Sequence, residues 1–503
     1  MLTSALHCWM DDYICLITVL LILIYLWLSW YRKPKNFPPG PRGLPILGIV
    51  PYLGKHPEKV LSKLADKYNP SVMSFRMGRM DWIILNDIEA INQALVKQGE
   101  DFSGRPKSPL FDMLTNGCGL VFVDGERWKE QRKFGIMALR SLGMGKRILD
   151  EIINKEFEVL ANHFESSGSS IDAMTSLRKA VTNITCEVLM GKRFEYNDPV
   201  MEIITEHRFV LLSIMDLLHN ILVLFLVMYS PILRFIPPFR WTYQKIVKSM
   251  EQVTAVIQEI IESHKRNFDQ NNKKDFVDYF IDEMLYKEGN YFTSTNFIMQ
   301  DEQLCHYTRD LLVAGINTTT RSAGLGDCVF ITLPRTPDQN CKGNTASDET
   351  PTLHHQDRMP HLRSFIQEVH RCRSIATLNL PHRTTRDVRL NGYDIPKNTP
   401  VLTNIWRVHN DPRVWKDPHK FNPGRHLDSN GKFVHSAHII PFACGYRRCL
   451  GERIARAEMF IFFAKIIGRF ELNKDDGEPL TLDNDPAGAV NSPKPFRFTV
   501  RRR

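Results

Sequence analysis

The sequence predicts a mainly α-helical fold with a small β part, preceded by a single N-terminal transmembrane helix. Apolar residues recur at helical spacing over much of the 503-residue chain, and short strand-like runs lie between these stretches. Hydrophobic residues make up 43% of the chain, enough to bury a substantial core. The predicted helices are Glu58–Tyr68, Ile88–Gln98, Gly125–Leu142, Ile148–Ser166, Ser176–Met190, Arg240–Phe268, Gln300–Thr320 and Ile454–Ile467, and the predicted strands are Val72–Met77, Trp82–Leu85 and Val401–Asn404.

The transmembrane helix is predicted from an uncharged run between Tyr13 and Tyr31. A helix of about 20 apolar residues spans the hydrocarbon core of a bilayer. Two aspartates precede the run and Arg32 and Lys33 follow it, so the positive-inside rule puts the C-terminal bulk in the cytosol. A cleaved signal peptide is the alternative, but the charge order is reversed and no small-residue cleavage site follows. We therefore expect residues 1–31 to be a retained membrane anchor.

The remainder of the chain is predicted to form a linker and one large domain. Residues 32–50 contain Phe37-Pro-Pro-Gly-Pro-Arg-Gly-Leu-Pro, a stiff non-helical lead-in because each proline fixes φ and lacks an N–H donor. Residues 51–503 contain no internal repeat and are expected to form the single catalytic domain. Within them, the apolar cluster Ile221–Met228 is too short to span a bilayer, and a buried helix or a loop that dips into the membrane surface are both open.

Charge and cysteine usage exclude several classes of protein. The net charge of +9 is mild for this length, and the chain has no Arg-rich arm or zinc-finger spacing, so we expect no nucleic-acid partner. The ten cysteines contain no Cys-x-x-Cys pair and no regular disulfide ladder. This pattern favours a reducing compartment with mostly buried free thiols.

A cysteine-containing motif near the C-terminus precedes the last predicted helix. It reads Phe442-Ala-Cys-Gly-Tyr-Arg-Arg-Cys-Leu-Gly-Glu452. Backbone N–H groups at the start of a helix stabilise a thiolate, and glycines let the backbone approach a cofactor closely. The motif resembles the cysteine-loop signature of the cytochrome P450 family, Phe-x-x-Gly-x-Arg-x-Cys-x-Gly, which is matched at Phe442, Gly445, Arg447, Cys449 and Gly451.

The resemblance implies a haem-thiolate monooxygenase with haem b (iron protoporphyrin IX), whose iron has Cys449 as its thiolate ligand. It runs from Phe37 to the C-terminus with one gap, and it is closest to the microsomal family 2 enzymes. It also implies a structural triad of Glu368, Arg371 and Arg425 that locks the core behind the cysteine loop. The side chains assigned to the haem propionates are Arg105, Trp128, Arg132, His382 and Arg447.

The predicted helix Gln300–Thr320 resembles the family helix that crosses the oxygen-binding side of the haem. Thr318 would order a water for proton delivery, and Gly315 would leave room for O₂. The family usually has an acid before this threonine, whereas this chain has Asn317, and an amide cannot cycle a proton. Five apolar residues match family positions that line the substrate cavity and suit a lipophilic small molecule: Val121, Phe122, Ala314, Ile375 and Leu380.

Electrons are expected from outside the chain, because it contains no flavin or nicotinamide fingerprint. A basic face formed by Lys129, Lys133, Arg140 and Arg448 would attract an NADPH-dependent cytochrome reductase or cytochrome b5, so NADPH is used indirectly. The expected location is the endoplasmic reticulum membrane, with a single pass and a cytosolic catalytic domain. A haem-thiolate isomerase or peroxygenase, and a catalytically impaired haem-binding protein, are the alternatives.

Residues 321–350 are the gap in the resemblance. They contain scattered Gly and Pro and no helical period, although the family has the end of one helix and a second helix here. The length from Thr318 to Glu368 is nevertheless family-like. Reading one base later with allowed codons, Ala323–Glu349 becomes L-A-W-A-I-V-Y-L-L-L-Y-P-E-L-Q-I-K-I-A-R-E-I-Q-Q-V-M-R, which has the expected helices. The segment is therefore predicted to be frame-shifted, and a divergent surface loop is the alternative.

Overall fold

The protein is described by a computed structural model. It describes residues 32–45, 47–78, 80–109, 115–143, 147–166, 170–205, 239–289, 300–332, 351–475 and 491–503, together with residues 17, 18, 20, 21, 112, 235–237, 484 and 485. The helices are α1 (Pro57–Tyr68), α2 (Ile88–Asn92), α3 (Gly125–Ser141), α4 (Arg147–Ser166), α5 (Ala173–Met190), α6 (Phe239–Arg266), α7 (Phe276–Gly289), α8 (Asp301–Thr332), α9 (Pro360–Cys372), α10 (Ile405–His409) and α11 (Glu452–Arg469).

Within the described residues, the β part consists of short strands in four small sheets. The largest sheet has the order β1-β2-β7-β4, with β2 and β7 parallel and the other neighbours antiparallel. The strands are β1 (Val72–Met77), β2 (Met80–Leu85), β3 (Ile171–Asp172), β4 (His382–Arg383), β5 (Val388–Leu390), β6 (Tyr393–Ile395), β7 (Pro400–Thr403), β8 (Phe470–Lys474), β9 (Asn484–Asp485), β10 (Ser492–Pro493) and β11 (Arg497–Arg502). The predicted mainly α fold with a small β part is confirmed.

Two helical cores meet along α8. One cluster joins α4, α5, α9 and α11, where the rings of Phe157 and Phe462 lie 5.8 Å apart. The other joins α3, α6, α7 and α8, where the rings of Phe134 and Phe280 meet edge to face at 5.2 Å. Aromatic pairs of this kind add to the free energy gained by burying their area. The long helix α8 is thereby fixed against both halves of the domain.

The helix ends follow ordinary capping chemistry. At the start of α5, the Asp172 carboxylate accepts a hydrogen bond from the Thr175 N–H at 3.1 Å, and Gly191 ends the helix with a φ of +58°. The Asn183-Ile-Thr sequon lies inside this helix. Asn183 is fully buried and bonds to the Phe194 backbone, which leaves its side chain inaccessible to modification.

The proline-rich lead-in is non-helical and lies along β1. The Ser74 N–H donates to the Pro39 carbonyl oxygen at 2.8 Å, and the Ser74 hydroxyl donates to the Pro38 carbonyl oxygen at 2.6 Å. Lys33 donates to the Gly40 carbonyl oxygen at 3.0 Å. These bonds fix the direction in which the chain enters the domain.

The predicted anchor and the cluster Ile221–Met228 lie outside the described residues, except for residues 17, 18, 20 and 21, which are helical. Within the part of the chain that the structure describes, no helix is both long enough and apolar enough to cross a bilayer.

One sequence-based expectation about residues 321–350 is wrong. The predicted helix Gln300–Thr320 continues to Thr332, although we expected no helical period after residue 320. Extending an existing helix costs less than starting a new one. Ala323, Cys328 and Ile331 are also buried in the core cluster that includes α4 and α11, which stabilises the extra turns. Residues 333–350 lie outside the described residues.

Candidate active site

Cys449 lies in the loop that leads into α11, and its side chain is exposed. The Cys449 N–H donates to the Phe442 carbonyl oxygen at 3.0 Å and closes the loop. Burial raises the pKa of the Cys449 thiol, and hydrogen bonds from the backbone of Gly451 and Glu452, at the start of α11, act in the opposite direction. Such groups, together with the positive end of the helix dipole, stabilise a thiolate. The geometry therefore suits Cys449 to bind a metal as a thiolate.

The two glycines of the cysteine loop have different surroundings. Gly445 has a φ of +73°, and an added Cβ would lie 1.7 Å from the Leu95 carbonyl oxygen. A side chain there would push the loop away from the turn that follows α2. At Gly451 an added Cβ would meet no atom within 4 Å. The packing of the loop against Leu95 therefore requires glycine at position 445. The space beside Gly451 is open.

The Phe442 ring braces the cysteine loop against other elements. It lies edge-on to the His370 ring of α9, with 5.5 Å between centroids, and the Arg456 guanidinium lies 4.9 Å from its centroid. Burial lowers the pKa of His370 to about 3. The neutral ring packs as an apolar surface, so Phe442 ties the loop to α9.

A cation–aromatic stack stands beside the cysteine loop. The Arg447 guanidinium lies 3.8 Å from the centroid of the Trp128 ring, and Arg132 lies 5.8 Å from the same ring. Arg447 also donates to the carbonyl oxygens of Ser103, at 2.8 Å, and Val123, at 2.6 Å. Trp128 and Arg132 are four residues apart on α3, so they share one face of this helix.

Arg105 and His382 complete this cluster from two other segments. Arg105 donates to the carbonyl oxygens of Leu380, at 3.2 Å, and Pro381, at 2.7 Å. The His382 Nδ1–H donates to the Phe102 carbonyl oxygen at 2.9 Å. Burial lowers the pKa of His382 to about 3, and the nearby Arg105 acts in the same direction. The ring is therefore neutral.

The cluster carries more positive than negative charge. Burial, followed by repulsion from Arg105, lowers the pKa of Arg447 to about 8. Burial, followed by repulsion from Arg132, lowers the pKa of Arg105 to about 10. Asp124 lies near both, but it is already in an ion pair with Arg383. Buried like charges are costly unless an anion joins them, so this site favours a group with carboxylates at its edge.

The structure also brings Glu368, Arg371 and Arg425 together. Glu368 accepts from Arg371 Nε at 2.8 Å and Nη2 at 2.9 Å, and from Arg425 Nε at 3.0 Å. His426, which the sequence did not suggest, donates to Glu368 Oε2 at 2.8 Å, the carboxylate oxygen that Arg425 Nε does not contact. Burial alone would raise the pKa of Glu368, but hydrogen bonds from Arg371 and His426 lower it to about 2. The carboxylate therefore joins α9 to the segment before the cysteine loop.

A family model described as Cytochrome P450 matches residues 38–500 of the chain. This chain belongs to the cytochrome P450 family. Cytochrome P450 2J3 of Rattus norvegicus is 32% identical, with 90% of this chain and 89% of the relative covered. Cytochrome P450 2F2 of Mus musculus is 33% identical, with 93% and 94% covered. Cytochrome P450 2F5 of Gorilla gorilla gorilla is 34% identical, with 94% and 95% covered.

Membership makes the protein an oxidoreductase of the monooxygenase class, and its relatives belong to family 2. The family implies a haem cofactor. The residues described above fit such a group. Cys449 is exposed, a Cβ at Gly451 would meet open space, and the buried guanidinium groups of Arg105 and Arg447 lack sufficient negative charge around them.

The face of α8 that carries Ala314 and Thr318 is open in this cytochrome P450. Both residues are exposed, and the Thr318 hydroxyl donates to the Ala314 carbonyl oxygen at 2.8 Å. The Asn317 Oδ1 atom is buried and accepts no hydrogen bond from the described residues. An acceptor in this state is stabilised by an ordered water. Thr318 and Asn317 therefore offer a hydroxyl and an acceptor one residue apart.

Gly315 packs against α5. An added Cβ would meet the Thr185 side chain of that helix at 3.3 Å, and the room for O₂ expected of this glycine stays a prediction. Gly315 points away from the open face because adjacent helical residues are turned by about 100°. The glycine lets α8 and α5 pack closely.

The predicted cavity residues come from three separate segments. Val121 and Phe122 precede α3, Ala314 lies on α8, and Ile375 and Leu380 follow α9. Ala314 and Leu380 are exposed, and the other three are partly buried. Incomplete burial of five apolar side chains is compatible with a cavity wall.

The basic face is narrower than the sequence suggested. Lys129 forms ion pairs with Glu100 at 2.6 Å and Glu126 at 2.8 Å, and Arg448 pairs with Glu452 at 2.6 Å. These carboxylates neutralise two of the four expected cations. Lys133 and Arg140 are exposed, and no carboxylate among the described residues forms an ion pair with either.

We expect Asn317→Asp to increase the fraction of NADPH electrons that appear in product. A carboxyl at this position can release and recover a proton, whereas the amide can only hold water. The measurement is the ratio of product to NADPH consumed, with Thr318 intact and peroxide release recorded in parallel. Unchanged coupling, or more peroxide, would show that the missing acid does not limit proton delivery.

Proposed function

We propose that this cytochrome P450 inserts one oxygen atom of O₂ into a lipophilic small molecule of the fatty acid, steroid or xenobiotic type. Two electrons come from NADPH through a separate reductase. The observation that carries the proposal is the thiol of Cys449 at the N-terminus of α11, beside buried cations that need an anionic partner. Haem bound there would supply the oxidising chemistry.

The residues of the chain have distinct parts in this proposal. Cys449 binds the iron, and Phe442, Gly445 and Gly451 shape the loop around it. Arg105, Trp128, Arg132, His382 and Arg447 hold the propionate edge, which neutralises their excess charge. The triad of Glu368, Arg371 and Arg425 supports the loop from behind.

Proton delivery and substrate binding are assigned to the open face of α8. Thr318 holds a water by its hydroxyl and passes a proton along it, and the adjacent Asn317 stands where the family usually has an acid. Val121, Phe122, Ala314, Ile375 and Leu380 surround the substrate with apolar surface. Few fixed polar contacts favour a lipophilic substrate over a charged one.

The test compares turnover supported by NADPH and reductase with turnover supported by peroxide, in the expressed full-length chain. The reduced, CO-bound difference spectrum is recorded first, and turnover of a lipophilic probe panel is then measured with NADPH and reductase, and with peroxide alone. A thiolate-type spectrum with reductase-dependent product supports the proposal. Product formed with peroxide but never with reductase would favour a peroxygenase, and a spectrum without any turnover would favour the impaired haem-binding protein suggested by Asn317.

The reductase is proposed to dock at a pocket of about 610 Å³ on α3 and the cysteine loop. Trp128, Met137 and Tyr446 give it an apolar lining, and Lys133 and Arg140 supply uncompensated positive charge at its rim. Such a patch steers an acidic protein partner, either a reductase or cytochrome b5.

We expect Lys133→Glu combined with Arg140→Glu to lower reductase-supported turnover by about tenfold at low salt. Turnover supported by peroxide should stay unchanged, because it needs no partner. The matched control is Lys245→Glu with Lys248→Glu on α6, which changes the net charge equally at another exposed place. Equal losses in both double variants would contradict docking at this pocket.

The chain is further proposed to be a single-pass protein of the endoplasmic reticulum membrane, with its catalytic domain in the cytosol. The described residues 17, 18, 20 and 21 are helical, and the side chains of Ile17, Leu20 and Leu21 are each more than half exposed to solvent. Large apolar side chains on one exposed helix favour burial in lipid.

We expect deletion of residues 1–31 to leave a haem-binding protein that alkaline carbonate extracts from membranes. The full-length chain should stay in the membrane pellet. Immunoblots of the pellet and the supernatant, with the CO spectrum as the folding control, make the comparison. If the truncated chain stays fully in the pellet, another segment is integral, and Ile221–Met228 is the next to delete.

A further inference from the structure

The loop of residues 115–124, named the distal loop here, is attached to the N-terminal half of α8 by a glutamine. Gln303 is fully buried. Its Oε1 accepts from the Gly119 N–H at 3.1 Å, and its Nε2 donates to the Gly119 carbonyl oxygen at 3.0 Å. Arg127 Nη2 donates to the same Oε1 at 3.3 Å. One side chain therefore pairs with both backbone groups of one residue.

A second side chain of α8 holds the following residues of the loop. Asp310 Oδ2 accepts from the N–H groups of Leu120, at 2.8 Å, and Val121, at 3.0 Å. Asp310 follows Gln303 by about two helical turns, so both side chains project from one face of α8. Gly119 has a φ of +91°, and an added Cβ would lie 2.5 Å from Asp310 Oδ2. The loop thus runs in close contact along the helix.

The two side chains constrain the loop differently. A carboxylate accepts from any N–H group, so Asp310 would still bind a loop that had slipped by one residue. The Gln303 amide pairs with the donor and the acceptor of Gly119, and slippage by one residue would bring a side chain into the narrow space beside α8 that Gly119 leaves, which would break both bonds. Gln303, paired with a glycine, therefore fixes the register of the distal loop, and Asp310 adds attraction to the residues that follow.

We propose that Gln303 is a positioning residue that sets where Val121 and Phe122 stand above the open face of α8, and thereby sets which bulky ligands fit. The inference rests on the proposed function, since it takes Val121 and Phe122 as cavity residues. Ala314 and Thr318 lie on the same helix as Gln303. The distance between Val121 and Phe122 on one side of the cavity and Ala314 and Thr318 on the other is then fixed, because both sides are attached to α8.

Three variants of the full-length holoprotein test the proposal. Gln303→Leu removes the donor and the acceptor. Gln303→Glu keeps an acceptor for the Gly119 N–H and Arg127 but faces the Gly119 carbonyl oxygen without a donor. The matched control is Asp301→Asn, two residues away, whose carboxylate binds Lys265 of α6 instead of the loop.

The first measurement is backbone amide exchange of residues 119–122. We expect exchange roughly tenfold faster in Gln303→Leu, an intermediate increase in Gln303→Glu, and no change in Asp301→Asn. Exchange in Gln303→Leu equal to that of the parent would overturn the proposal. If Gln303→Leu fails to fold, the Gln303→Glu variant decides by the same comparison.

The second measurement separates register from mere stability. Imidazole and 4-phenylimidazole both bind haem iron and shift its absorption band, but the phenyl ring also contacts the cavity wall. We expect the ratio of their dissociation constants to change severalfold in Gln303→Leu, with partial return toward the parent ratio in Gln303→Glu. Faster exchange with an unchanged ratio would overturn the selectivity role. A parent protein without a thiolate-type CO spectrum would instead overturn the proposed function.

Discussion

Replacement of Cys449 by alanine is expected to abolish the thiolate-type spectrum of the reduced CO complex together with monooxygenase turnover. The Cys449 sulfur receives N–H groups from Gly451 and Glu452 at the start of α11, and alanine leaves these donors with no anionic partner. A thiolate ligand is what favours O–O cleavage in haem proteins, so the loss should be complete rather than partial.

Cys444→Ala is the matched control for this variant. Cys444 lies in the same loop, but it packs against the apolar cluster that includes Ile91, and burial raises the pKa of its thiol to about 11. We expect Cys444→Ala to keep the spectrum and most of the activity. A thiolate-type CO band that survived in Cys449→Ala would show that Cys449 is not the iron ligand. Loss of the band in both variants would indicate a collapsed loop.

Local patterns in the sequence were sufficient to predict most of the fold. Val72–Met77 was predicted as a strand with the bounds that the structure has, and Gly125–Leu142 was predicted as a helix that ends one residue earlier. The helix Phe276–Gly289 was missed, because its apolar residues are spread around the helix instead of forming one stripe. The pairing of β11 with β8 and β3 joins distant segments and gives no local signal.

The site could be predicted where its chemistry is local and not where it depends on folding. Spacing alone put Trp128 and Arg132 on one face of a helix. The stacking of Arg447 on Trp128 joins residues from different elements, so no spacing indicates it. The same holds for Lys129, whose ion pair with Glu100 neutralises the positive charge expected of it. His426 had a signal in retrospect, since it directly follows Arg425.

The contacts of Asp124, Gln303 and Asp310 were also missed by sequence reasoning. Each side chain bonds to a backbone group or an arginine of a segment that lies elsewhere in the chain. Every residue has the same backbone N–H and C=O groups. The type of a side chain therefore does not indicate which backbone group it will bind. These residues shape the site without appearing in its motifs.

The second large effect is expected for residues 323–349, which we propose to be frame-shifted by two compensating single-base changes. At the buried positions of α8 that both readings share, the shifted reading keeps apolar character: Ala323→Leu, Cys328→Val and Ile331→Leu. It also replaces two helix-interior glycines, Gly324→Ala and Gly326→Ala. Both readings retain Pro334, which suits a helix that ends at Thr332.

The energetic consequence can be measured. Each Gly→Ala change inside a helix is worth about 1 kcal/mol. The added methyl groups would lie 2.3 Å from the Met174 sulfur and 2.1 Å from the tip of the Phe463 ring, so these side-chain ends must move to admit them. We expect a full-length chain with the shifted reading to unfold at a Tm higher by roughly 2 °C than the present sequence, with a larger yield of haem protein.

Sequencing the transcript across codons 318–352 decides between the two readings. If the message encodes the shifted reading, the enzyme in the cell is intact, and the variants proposed above should be made in that background. If the message encodes the present residues, α8 keeps its glycines beside Met174 and Phe463, and the chain should fold with a low yield of haem protein. A message with the present residues that nevertheless gives a stable haem protein would refute the frame shift, because the apolar helix and the proline break would then be unnecessary for folding.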